Sequence, residues 1–280
     1  MQLKFSKWQG CGNDFVLVNG FTENISNIQE QAIKICDRNY GIGADGVILI
    51  LPSSTCDFRM QIFNSDGTEA EMCGNGIRCF ARYVLEAGLS DKHSFTVETK
   101  AGTIIPQLIT NDNETMVCVD MGTPVLKGEQ IPVTGYGNNR VINEPLTVED
   151  HRFNITCVSM GNPHCVIFVD DIKKIDINKW GPILEKYKIF PNKTNVEFIQ
   201  VINRTHLRMR VWERGAAITL ACGTGACASL VAAILNNLCD RKARLELDGG
   251  NLSIAWNEND NKVYMTGPAK KVFEGIYDSE

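Results

Sequence analysis

Apolar residues recur along the chain at two spacings, and their alternation divides the sequence into strands and helices. Helical spacing appears first at Ile28, Ala32, Ile33 and Ile35, with Ser26 or Asn27 placed to cap the first turn. Strand-like runs follow at 46–51 and 57–63. A second helix is predicted over 76–87, where Ile77, Phe80, Ala81, Val84 and Leu85 form one apolar stripe and Gly88 ends it. Strands recur near 94–99, 102–109 and 115–121. The order then repeats, with strands near 155–160 and 164–169, a helix over 176–188 and strands near 195–202 and 205–212. A helix rich in small residues follows over 225–237, then strands near 242–247, 251–256 and 262–266. Gly122-Thr123-Pro124 breaks the pattern, which places an N-terminal lobe at 1–122 and a C-terminal lobe at 123–267. The tail, 268–280, is expected to return to the first lobe. Both lobes read as α+β.

The repetition extends to individual residues. Cys73 in Met72-Cys-Gly-Asn-Gly76 lies 149 positions before Cys222 in Ala221-Cys-Gly-Thr-Gly225. The same offset carries Gly12-Asn13 onto Gly161-Asn162, Gly46 onto Asn195 and Asn64 onto Glu213. Beyond the second helix of each half the offset becomes 148, matching Glu98 with Glu246 and Gly102 with Gly250. One shared Cys-Gly-x-Gly would be coincidence among common glycines; several landmarks in one register point to two lobes of the same architecture.

Composition removes several function classes. The net charge is −5 and the basic residues do not cluster, so nothing suggests nucleic acid. The longest apolar stretch, Ala226 to Leu235, is too short for a membrane span, and the N-terminus lacks the apolar core of an export signal. A cytoplasmic location and reduced thiols are expected for the 11 cysteines, an odd number without Cys-x-x-Cys spacing. Four dispersed histidines give no metal-ligand cluster, so no metal is expected.

Most of these cysteines, including Cys36, Cys56, Cys118 and Cys239, read as small packed residues. Cys73 and Cys222 differ, because each directly precedes the glycine-rich start of a helix. The first N–H groups of a helix lack internal partners and carry the positive end of its dipole, so a thiol there is expected to have a lowered pKa. The same N–H groups bind a carboxylate. Two lobes facing each other would thus offer one carboxylate site with a thiol on each side. Inverting an amino-acid Cα needs such a pair: one thiolate takes a proton from one face, and one thiol gives a proton to the other. In oxidised protein the same two thiols could join as a disulfide, which would inactivate such a site.

Asn64-Ser-Asp-Gly-Thr, Met72-Cys-Gly-Asn-Gly-Ile-Arg-Cys79, Met160-Gly-Asn-Pro-His164, Glu213-Arg214 and Ala221-Cys-Gly-Thr-Gly-Ala226 together resemble the signatures of the diaminopimelate epimerase family. The resemblance runs nearly end to end, from Gly12-Asn13-Asp14-Phe15 onward. It implies two pseudo-symmetric lobes, each a mostly antiparallel sheet or barrel wrapped around a central helix. It also implies a cytoplasmic homodimer without pyridoxal phosphate or other cofactor, converting L,L-diaminopimelate to the meso form on the way to lysine and peptidoglycan. By matching positions, Cys73 and Cys222 become base and acid, and Gly74-Asn75 with Gly223-Thr224 become backbone donors to the reacting carboxylate. Asn13, Asn64, Asn162, Asn195, Glu213 and Arg214 become contacts to amino and carboxylate groups, and His164 and Glu213 tune the thiols. A substrate charged at both ends suits this set, since Arg grips carboxylates and Asn serves either charge. Gly46 departs from the pattern, which often carries Gln there, and it can make no side-chain contact.

Two rivals remain open at this level. Proline racemase or hydroxyproline epimerase would share the two-cysteine logic, but their substrates carry one carboxylate. A thiol redox sensor or amino-acid binding protein would use the cysteines without turnover. Gly41 to Gly46 also fits Gly-x-Gly-x-x-Gly, yet it follows a helix and precedes a strand, the reverse of a dinucleotide-binding fingerprint.

Overall fold

The structure is a computed structural model that describes residues 2–111 and 114–278. Residues 1, 112–113 and 279–280 of the expected lobes lie outside the described residues. The chain divides into two compact units, Met1–Asp120 with Thr266–Glu280, and Met121–Met265.

The first unit runs β1 (Gln2–Gly10), β2 (Asn13–Asn19), α1 (Ile28–Cys36), β3 (Gly46–Leu51), β4 (Phe58–Asn64), β5 (Glu69–Ala70) and α2 (Gly74–Glu86). It continues with β6 (Val97–Thr99), β7 (Gly102–Ile104), β8 (Gln107–Asn111) and β9 (Glu114–Asp120). The second contains β10 (Glu144–Val148), β11 (His151–Ser159), β12 (Pro163–Phe168), α3 (Ile177–Glu185), β13 (Asn195–Asn203), β14 (His206–Glu213) and β15 (Ala217–Thr219). After α4 (Gly223–Leu235) come β16 (Lys242–Leu247), β17 (Gly250–Trp256) and β18 (Val263–Pro268). The last strand, β19 (Lys270–Asp278), belongs to the first unit, where it pairs antiparallel with β1 from Gln2↔Asp278 onward.

The two sheets are open and have matching connections. In the first unit the strand order is β19-β1-β2-β3-β4-β6-β7, with β5 on β4; in the second it is β10-β11-β12-β13-β14-β16-β17-β18, with β15 on β14. A helical crossover joins the parallel pair β2–β3, and another joins β12–β13. The registers also agree. Phe15 faces Gly46 as His164 faces Asn195, and Phe58 faces Val97 as Leu207 faces Leu245. The residue offsets seen in the sequence are therefore a duplicated topology, and the change from 149 to 148 falls beyond the second helix of each half.

Each unit packs around its long helix. α2 lies against β1, β2, β3, β4, β8, β9 and β19, and α4 lies against β11, β12, β13, β16 and β17. α4 is apolar almost all round, with Ala226, Cys227, Ala228, Leu230, Val231, Ala232 and Ala233 buried. A helix of that kind belongs inside a domain. Small residues let five strands approach it, and each buried Leu or Val contributes about 1.5–3 kcal/mol.

Local geometry amends several expectations. Both long helices start two residues earlier than expected, because the chain turns helical directly after each motif cysteine. The helix expected over 176–188 ends at Glu185; Asp176 caps its start by accepting from Lys179 N. The strand expected over 102–109 splits into β7 and β8, with Pro106 in the gap and unable to donate to a ladder. Asn27 precedes α1 in the left-handed region at φ 52°, and its side chain makes no capping hydrogen bond. At Gly46 a Cβ would stand 2.7 Å from the Phe63 carbonyl oxygen, so β3 leaves no room for the Gln often found there.

Candidate active site

Each motif cysteine is the N-cap of its unit's long helix. Cys73 (φ −140°, ψ 121°) precedes α2 and Cys222 (φ −118°, ψ 111°) precedes α4, so extended backbone passes straight into a helix whose first N–H groups are unpartnered within it. The second motif glycine has a packing cause in both places. A Cβ on Gly76 would lie 3.1 Å from the methyl carbons of Ile48 and Ile62. A Cβ on Gly225 would lie 2.7 Å from Glu197 Oε1 and 3.2 Å from Cys222 Sγ.

In the first unit, Cys73, Asn75 and Asn13 come together at one oxygen. Asn13 Oδ1 accepts from Asn75 Nδ2 at 3.0 Å and from Cys73 Sγ at 3.7 Å. Asn13 Nδ2 donates to Asp45 Oδ2 at 2.6 Å, and a carboxylate can only accept, so the amide has one orientation. Arg38 bridges Asp45 and Asp14 at 2.7 and 2.8 Å, and Lys7 pairs with Asp14 at 2.7 Å. Burial works to raise the Asp14 pKa, but hydrogen bonds from Arg38 and Lys7 outweigh it and hold the carboxyl at about 2. Beneath the helix start, Arg78 is fully buried and donates to Gly74 O at 3.0 Å, anchoring the first turn. Asn64 stands at the end of β4 and donates to Thr68 Oγ1 at 3.0 Å, away from the Asn13 cluster's hydrogen bonds.

In the second unit, Cys222 is 5% exposed and accepts from Gly225 N at 3.3 Å, with Thr224 Oγ1 at 3.5 Å. The expected low thiol pKa is overturned here. Burial raises the Cys222 thiol well above its ordinary value, and the carboxylates of Glu213 and Glu197 raise it further against Thr224 and the Gly225 N–H. Desolvation and two negative charges outweigh the helix terminus. Glu213 is itself raised, first by burial, with hydrogen bonds from Thr219 and Cys222 opposing. His164, fully buried in β12, places Nδ1 2.7 Å from Glu197 Oε1 and Nε2 2.9 Å from Asn162 Oδ1. It bears on the sulfur's surroundings through Glu197 and Glu213, whose carboxyl it lowers.

Asn195 is buried and ties two turns together, donating to Pro163 O at 2.8 Å and accepting from Arg214 N at 2.9 Å. A ligand contact by Asn195 would use its second N–H. Arg214 is exposed and donates to Asn192 O at 3.0 Å. Gly223 is the first residue of α4 and is buried.

Four participants lay outside the sequence reading: Asp45, Arg38 and Lys7 behind Asn13, and Glu197 behind His164. Glu197 had one visible signal, a charge within the apolar run Val196-Glu-Phe-Ile199. In the duplicated register it replaces Ile48, and His164 replaces Phe15. The first unit is apolar where the second carries an acid–imidazole pair. Gly41 to Gly46 lies between α1 and β3, so no strand-to-helix phosphate loop forms there.

The family model described as diaminopimelate epimerase matches residues 5–127 and 156–272. A diaminopimelate epimerase of Rippkaea orientalis is 54% identical over 282 residues, covering 99% of both chains. Among solved structures, a Bacillus anthracis phenazine biosynthesis protein of the PhzF family has a TM-score of 0.75 at 19% identity, covering 100% of both chains. A hydroxyproline epimerase from Agrobacterium vitis has a TM-score of 0.69 at 13% identity, covering 98% of this chain and 92% of that one. The last two similarities show a shared fold.

Proposed function

The chain belongs to the diaminopimelate epimerase family, and we propose that it interconverts L,L- and meso-diaminopimelate by two-thiol acid–base chemistry, without a cofactor, in lysine and peptidoglycan precursor synthesis. The observation that carries the reading is the pair of cysteines, each capping the matched helix of a duplicated unit. In the L,L to meso direction Cys73, as thiolate, takes the Cα proton, and Cys222 delivers its S–H proton to the other face. The raised Cys222 thiol suits a group that must arrive protonated. The electron pair left at Cα delocalises into the carboxylate. Backbone N–H groups at Gly74-Asn75 and Gly223-Thr224 stabilise that charge as it forms. Asn13, Asn64, Asn162, Asn195, Glu213 and Arg214 hold the charged groups, and Glu213 keeps Cys222 protonated.

The hydroxyproline epimerase of similar fold names the second reading. The Glu213-Arg214 pair favours a substrate with a second charged end. Reduced protein incubated in heavy water with L,L-diaminopimelate, and separately with trans-4-hydroxy-L-proline, separates the two. Cα deuteration of diaminopimelate with appearance of the meso isomer is expected. Exchange in hydroxyproline alone would move the substrate, and exchange in neither would end the epimerase reading.

The protein acts as a cytoplasmic homodimer in this reading. All eleven cysteines are free, as thiol chemistry in a reducing compartment requires. Among the described residues no helix is long and apolar enough to cross a membrane. Val272, Phe273 and Ile276 leave β19 with exposed apolar side chains, which a second copy would cover. Sedimentation should give twice the chain mass, and Phe273→Lys should shift it toward the monomer; a wild-type monomer would refute the dimer.

A further inference from the structure

The duplicated asparagines Asn13 and Asn162 stand at matched positions, and their amides are turned in opposite senses. Asp45 can only accept, so Asn13 gives it the NH2 group and turns its carbonyl toward Cys73 and Asn75. Asn162 does the reverse, with its carbonyl oxygen 2.9 Å from His164 Nε2. His164 Nδ1 faces a second oxygen, Glu197 Oε1, at 2.7 Å. With Glu197 ionised, both ring nitrogens face acceptors, an arrangement that an imidazole protonated at both nitrogens satisfies. Glu197 and His164 are each fully buried, and Glu197 Oε2 has no hydrogen-bond partner among the described residues. A cation beside it would stabilise the ionised form of such a buried carboxylate, and the ring is placed to supply one. The other ionisable groups bearing on this pair are Glu213, Cys222 and Cys165.

We infer that Glu197 is a positioning residue: it holds His164 donating from both nitrogens, which turns the Asn162 amide so that its NH2, not its carbonyl, meets the carboxylate of the substrate. The inference rests on the epimerase reading for the identity of that substrate. An NH2 group presented there suits the carboxylate end of a zwitterionic ligand. In Glu197→Gln the compensating charge is gone, Nε2 loses its proton, and the Asn162 amide rotates to donate to it. The carbonyl then faces the substrate carboxylate.

Nitrogen-15 NMR of histidine-labelled protein tests this directly. Among the four histidines, His164 is recognised by slow exchange of its ring protons, since it is fully buried. Wild type should show both His164 nitrogens protonated, and Glu197→Gln should show one unprotonated. KM for diaminopimelate should rise about tenfold in Glu197→Gln while kcat falls less. Asn162→Asp, which fixes an acceptor, should raise KM at least as much and leave both His164 nitrogens protonated. A singly protonated ring in wild type, an unchanged ring in Glu197→Gln, or a fall in kcat at constant KM would overturn the inference. Absence of wild-type turnover with diaminopimelate would instead count against the substrate, and the ring measurement would still decide the protonation.

Discussion

Replacing the second motif glycine by alanine should cost much more in the second unit than in the first. At Gly225 the new methyl would stand 2.7 Å from Glu197 Oε1, so the carboxylate must retreat by about 0.7 Å to reach the 3.4 Å of ordinary contact. Glu197 is fully buried, and the retreat stretches its 2.7 Å bond to His164. Loss of a buried charge-assisted hydrogen bond costs about 1.5–3 kcal/mol. Alanine returns about 1 kcal/mol of helix propensity, leaving a net loss of about 0.5–2 kcal/mol. At Gly76 the methyl meets Ile48 and Ile62 side-chain tips at 3.1 Å, which yield by a few tenths of an ångström. The propensity gain then cancels most of the cost. Urea unfolding of Gly76→Ala and Gly225→Ala, with steady-state kinetics on both, reads the difference. The second variant should be less stable by about 0.5–2 kcal/mol and should lose activity more steeply. Equal stabilities and equal kcat/KM would refute the claim that Glu197 is the obstacle.

Cys73→Ser and Cys222→Ser should each lower Cα deuteration about 10²–10⁴-fold, the range for a lost acid or base, with binding of substrate retained; turnover near wild type in either would remove that thiol from the chemistry. In free protein, alkylation followed by mass spectrometry should label half-exposed Cys73 before Cys222, which is buried and whose thiol is raised; Cys222 labelled first would contradict the site. Asp14 is a stronger acid folded than unfolded, so its contribution is present above about pH 4 and disappears as pH falls toward 2. Acid unfolding should lose about 2 kcal/mol across that window, and Asp14→Asn should lack that loss.

Cys73 and Cys222 were legible because cysteine, glycine and helix periodicity lie within a few residues of each other. The duplicated topology was legible because equivalent turns keep their asparagines and glycines. The groups behind the site were hidden by distance along the chain. His164 and Glu197 are 33 residues apart, and Asn13 and Asp45 are 32; both meet because β12–β13 and β2–β3 are parallel pairs. Nothing local announces such a pairing. The raised Cys222 thiol was misjudged for a related reason. The helix terminus is written in the motif, whereas burial and two carboxylates from other strands depend on the tertiary fold. β1 escaped the alternation because Ser6 and Lys7 are buried polar residues that break its apolar period.

The pairing of β1 with β19 imposes an order on synthesis. β1 is synthesised before one of its two neighbours, β19, which follows every residue of the second unit in the chain. Until then one edge of β1 presents unpaired N–H and C=O groups, the kind of template to which other chains add. A premature stop at Lys270, which removes β19, therefore does its damage at β1, leaving that strand open along one side.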